Sequence, residues 1–73
     1  MTYRSMMPID LVPIGSIWKH IKTGNKYTII AITNVAADDE DKWPITVVYK
    51  DEKGEVWSRL FFAWANSFEM ERA

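Results

Sequence analysis

The residue types here that could do chemistry are one histidine, a run of carboxylates and a set of aromatic rings interleaved with cations. His20 is the single histidine of the chain and lies in WKHIKTGNKYTII, among Lys19, Lys22 and Lys26. A histidine base needs a nucleophile or an orienting carboxylate within hydrogen-bond reach, and a catalytic metal site commonly needs about three protein ligands. With no cysteine in the sequence, only carboxylates are left to complete either arrangement. Ser16, Ser58 and Ser67 have no triad partner other than His20. Asp38, Asp39, Glu40 and Asp41 supply oxygen ligands, but without the alternate spacing and turn glycine of a calcium loop. They read as a solvated charge cluster. The three glycines are far apart, so phosphate-cradling loops and nucleophile elbows are absent as well. No catalytic residue, cofactor or metal is expected, and the chain reads as a non-enzyme.

The rings carry more. Four Trp, three Tyr and three Phe in 73 residues are more than a small core holds, which leaves one or two at the surface. Rings such as Trp18, Tyr27, Tyr49, Trp57 and Trp64, beside Lys19, Lys22, Lys26 or Arg59, suit gripping a peptide or stacking on bases.

Positioning these residues falls to strands. SIWKHI and KYTIIAIT flank the turn residues TGN, which predicts a hairpin. Alternation puts His20 on the same side as Trp18, opposite Ile17, Lys19 and Ile21. NVAADDEDKWP predicts a long mobile loop with Trp43 as its apolar anchor. ITVVYK and EVWSRLFF around DEKG predict a second hairpin, its glycine placed for a tight reversal. AWANSFEMERA predicts one short helical turn and a small closing strand, with a terminal helix over 62–72 as the alternative. The first 13 residues, with two prolines and no period, predict an extended arm leading into a single domain over 14–73. Four to five short antiparallel strands in about 60 residues, joined by hairpins, predict an all-β fold: a small SH3-like barrel.

Composition sets outer limits. The chain is 48% hydrophobic and 26% charged, which fits one ordered domain. Without cysteine, a secretory h-region or an apolar run of about 20 residues, a cytoplasmic, non-membrane protein is expected. Met6 and Met7 leave the start among three methionines open. Residues 1–27 carry four cations against one acid, and residues 28–73 five against nine. The overall acidic balance counts against nonspecific coating of nucleic acid, while a basic face near the first hairpin stays open.

The stretches GSIWKHIKTGNKYTII, VVYK and GEVWSR, with a downstream Phe, resemble a family of small bacterial and phage domains of unknown function with an SH3-like fold. Gly15, Trp18, His20, Lys22, Gly24, Tyr27, Val47, Val48, Tyr49, Gly54, Trp57 and Arg59 occupy the matching positions. Leu60 stands where the family commonly has proline. The resemblance implies a phage- or prophage-derived domain in which Trp18, His20, Tyr49, Trp57 and Arg59 form one cluster. Together these readings give the expectation of a binding module engaging a protein partner through Trp18, His20, Lys22, Tyr49, Trp57 and Arg59. A nucleic-acid-binding barrel ranks behind it, and a homodimer through strand edges is a further expectation.

Overall fold

The structure, a computed structural model, describes residues 12–72. The expected arm over 1–13 lies outside the described residues except for Val12 and Pro13. Five strands form one sheet: β1 (Ile17–His20), β2 (Lys26–Thr33), β3 (Thr46–Lys50), β4 (Val56–Leu60) and β5 (Phe68–Arg72). A helix, α1 (Phe61–Ser67), joins β4 to β5. The order across the sheet is β4-β3-β2-β1-β5, with every neighbouring pair antiparallel. The protein is a small all-β, barrel-like fold with one short helix near its C-terminal end.

Each hairpin follows from its turn. Gly24 adopts φ +79°, and its N–H closes onto the His20 carbonyl at 2.7 Å. Gly54, at φ +90°, bonds the Asp51 carbonyl at 3.1 Å. Side-chain-bearing residues avoid this left-handed region, so the two turns form where the chain offers glycine. The connection from β2 to β3 is less loose than expected. Asn34, at φ 65°, donates from its side chain to the Pro44 carbonyl at 2.9 Å. Asp39 Oδ1 accepts the N–H groups of Asp41 and Lys42, an Asx turn that competes with any ion for that oxygen. Trp43 does not anchor this loop. It is 54% exposed, and its backbone N–H bonds Asp39 while its ring stays at the surface.

Register decides which side chains share a face. Trp18 pairs with Tyr27, Ile29 with Tyr49, Tyr49 with Trp57, Val47 with Arg59, and His20 with Phe68. Directly paired residues project to the same side. One inner face therefore carries Trp18, His20, Tyr27, Ile29, Val47, Tyr49, Trp57, Arg59 and Phe68. The core is the middle of this face, where Trp18, Ile29, Val47 and Phe68 are buried together with Val12 and Ile45. Ser16, also buried, accepts the Trp18 indole N–H at 2.9 Å and donates to the Pro13 carbonyl, so the tryptophan's polar tip is satisfied inside.

α1 begins at Phe61, earlier than the helical turn expected after Phe62, and takes both phenylalanines out of the predicted strand. Phe61 and Trp64 lie three apart, on one side of the helix, and both are fully buried. A helix of seven residues is marginal alone, so this burial holds it in place. The Phe61 N–H bonds the Ile45 carbonyl at 2.8 Å, and the Phe68 N–H bonds Trp64 as the helix yields to β5. The alternative of one terminal helix over 62–72 is not what forms.

Candidate functional site

Away from the packed middle, the inner face stays open at its β4 side. β4 is an edge strand, and all five of its residues are exposed. Here Tyr49, Trp57, Arg59 and Phe68 meet His20, Thr23 and Tyr27 around a hollow of about 160 Å³. Its floor is Phe68, which is buried and lies within 5.0–5.4 Å of the His20, Tyr27 and Tyr49 rings, centroid to centroid. These contacts, and that between Tyr27 and Tyr49 at 5.2 Å, are edge-to-face, the arrangement favoured by ring quadrupoles.

Each wall is held from behind. His20 Nδ1 lies 3.3 Å from both the Thr23 backbone N–H and the Thr23 hydroxyl, so the β1–β2 turn holds the ring in place. Trp57 is half exposed, yet its indole N–H donates to Asp51 Oδ2 at 3.0 Å. The same Asp51 takes the Lys53 and Glu55 N–H groups at 2.9 Å on Oδ1, so a carboxylate six residues away ties the ring to the β3–β4 turn. The Trp57 hydrogen bond is the main reason the Asp51 carboxyl is held below its ordinary value of 3.8. Arg59 donates to Ser67 Oγ at 3.1 Å, and its guanidinium lies 5.9 Å from the centre of the Phe68 ring. Ser67 in turn donates to the Ala63 carbonyl of α1. Burial raises the Tyr49 phenol above its ordinary value of 10.0, with the Arg59 cation pulling the other way.

Of the six residues expected at a binding surface, the structure brings four to this hollow: His20, Trp57 and Arg59, and Tyr49, which is 5% exposed and also part of the core. Lys22 lies in the β1–β2 turn and lines the next hollow, with His20, Arg59 and Asn66. Trp18 is a correction. It is 3% exposed and packs on Trp64 at 4.6 Å, so it belongs to the core and no partner can reach it. Alternation placed it correctly on the face of His20, but pairing with Tyr27 puts it over the covered middle of that face.

Tyr27, one of the rings suited to gripping a partner, also lines the hollow, together with Thr23 and Phe68, which the sequence does not point to. Tyr27 was within reach, since the hairpin register sets it opposite Trp18. Phe68 gave no such signal, because it arrives by pairing of the last strand with the first.

On the first hairpin, where the sequence leaves a basic face open, two of the lysines have acidic partners. Lys19 pairs with Glu69 at 3.3 Å and Lys26 with Glu71 at 3.4 Å, both acids coming from β5. Among the described residues no carboxylate lines the aromatic hollow. Among the described residues no three His, Asp or Glu side chains stand close enough to hold a metal ion. No described helix is long and apolar enough to cross a membrane. Compared with protein-family models, curated proteins and solved structures, the chain matches none.

Proposed function

We propose that this protein is a non-enzymatic binding module, an SH3-like barrel that engages a protein partner through the hollow between β4 and the first hairpin. The observation that carries this reading is the convergence of His20, Tyr49, Trp57 and Arg59 on one solvent-open, ring-lined concavity. Rings and an arginine that are already fixed by Asp51, Ser67 and Phe68 lose little freedom on binding, which is what a recognition surface needs. A lining without carboxylates favours binding over acid–base chemistry. The resemblance to small bacterial and phage domains makes a phage or prophage source part of the same proposal, and the lack of cysteine adds a cytoplasmic setting. The outer edges of β4 and β5, unpaired among the described residues, are where a second copy would add if the protein self-associates.

The nucleic-acid alternative draws on Arg59 and Lys22 beside Trp57. The pairing of Lys19 and Lys26 with Glu69 and Glu71 removes two of the cations it needs. Capture of partners from bacterial lysate, with and without nuclease and with Trp57→Ala as the control bait, separates the readings. A discrete protein that survives nuclease and is lost with the variant is the expected result. Recovery that depends on nucleic acid would move the assignment to the alternative, and a partner retained equally by the variant would remove the hollow from it.

A further inference from the structure

The aromatic hollow does not stand alone. Toward α1 a second hollow, of about 430 Å³, shares His20 and Arg59 with it and adds Lys22 and Asn66. Toward the β3–β4 turn a third, of about 350 Å³, shares Tyr27 and Trp57 and is rimmed by Asp51, Glu52 and Glu55. Hollows that share walls in series form one trough along β4. Five strand residues extend about 17 Å at ~3.4 Å each, the length covered by an extended peptide of roughly five or six residues. Same-side positions on such a peptide stand about 6.8 Å apart, the same step that separates Trp57 from Arg59.

The trough is electrically lopsided. Its α1 end carries Lys22 and Arg59 and, among the described residues, no carboxylate. Its turn end carries three carboxylates against Lys26 and Lys53, and Lys26 is already paired with Glu71. A nucleic-acid strand bears a phosphate at every step and would meet those carboxylates. A peptide can place its acid at one end only. Arg59 gives one N–H to Ser67 and another to the Tyr49 hydroxyl, and its planar fork has five, so donors suited to a carboxylate remain.

Resting on the binding-module reading above, we infer that the trough takes an extended peptide segment with a ring side chain and, two residues away, an Asp or Glu. The ring, aromatic or proline, enters the hollow floored by Phe68. The carboxylate meets Lys22 and Arg59.

The test uses acetylated, amidated heptapeptide libraries with Trp, Phe or Pro fixed at the centre and the positions one and two residues to either side randomised. Selection is on the full chain, followed by titration of the isotopically labelled protein by NMR. Asp and Glu enriched two residues from the ring are expected, with shifts at the Trp57 indole. Lys22→Gln and Arg59→Gln should each weaken the selected acidic peptide about fivefold more than they weaken its Gln counterpart. Lys22 is exposed in a turn, so its variant keeps the argument testable should Arg59→Gln disturb packing. Ring-bearing peptides that bind with no acidic preference would overturn this inference and leave the binding-module reading standing. No peptide bound, or the same resonances shifted by a thymidine decamer alone, would overturn both.

Discussion

Asp51 shows how one side chain on a turn positions a ring it does not neighbour in sequence. One of its oxygens holds the turn through Lys53 and Glu55, and the other holds Trp57. All three bonds are stronger to the ionised carboxylate than to the neutral acid, and the one from Trp57 is the largest reason its pKa lies below 3.8. A carboxyl whose folded pKa is depressed contributes stability above its unfolded value and loses it as pH falls through the folded one. Acid titration of the wild type should therefore show a loss of stability below about pH 3.8 to which Asp51 contributes. Asp51→Asn should lack that contribution, giving a shallower acid limb in urea unfolding and a shifted Trp57 indole resonance at neutral pH. Equal acid limbs in the two proteins would refute the role given to this carboxylate.

At the level of elements, the β1–β2 turn does the most for the site. It places His20 and Thr23 on the hollow and Lys22 on the trough's basic end, and it depends on Gly24 at φ +79°. A methyl group at Gly24 would meet no atom within 4 Å, so the cost of Gly24→Ala is in the backbone alone. That cost is about 1–2 kcal/mol. Gly24→Asn should cost less, since Asn tolerates the left-handed region better. Chemical unfolding of the three proteins should rank them Gly, Asn, Ala; Ala equal to Gly would mean the turn relaxes to another conformation. α1 makes a similar point from the other side of the trough. Its helical state depends on burying Phe61 and Trp64 and places Ser67 against Arg59, so element and site form together.

Across the whole molecule, core and site are one continuous face graded by exposure. Phe68 belongs to both, stacking on Trp64 within the core and flooring the hollow under His20, Tyr27, Tyr49 and Arg59. Trp57 sits on the same face at the open edge. Phe68→Ala should cost about 3–5 kcal/mol, comparable to the whole stability of a domain this small. Trp57→Ala should keep the fold with a small loss of stability, from the lost bond to Asp51, and lose binding. Thermal melts that show both variants equally stable, or equally unfolded, would contradict this division. The topology explains the grading: β4 and β5 are the sheet's two edges, and α1 covers the region between them without covering all of β4.

Much of this was legible in the residues themselves. Glycine-bearing turns between β-branched runs determined both hairpins, and alternation determined that Trp18 and His20 share a face, because both are local consequences of backbone geometry. The family-like spacing singled out Trp18, His20, Tyr49, Trp57 and Arg59, of which the last four line the hollow and Trp18 lies in the core. Three things had no local signal. That Trp18 is core while Trp57 is rim depends on how far each lies from the sheet's edge. That Lys19 and Lys26 are neutralised depends on acids more than 40 residues away on β5. That Phe61 begins a helix depends on a buried place waiting for it beside Ile45. Each is decided by contacts between residues distant in the chain, and only the closed tertiary structure brings those residues together.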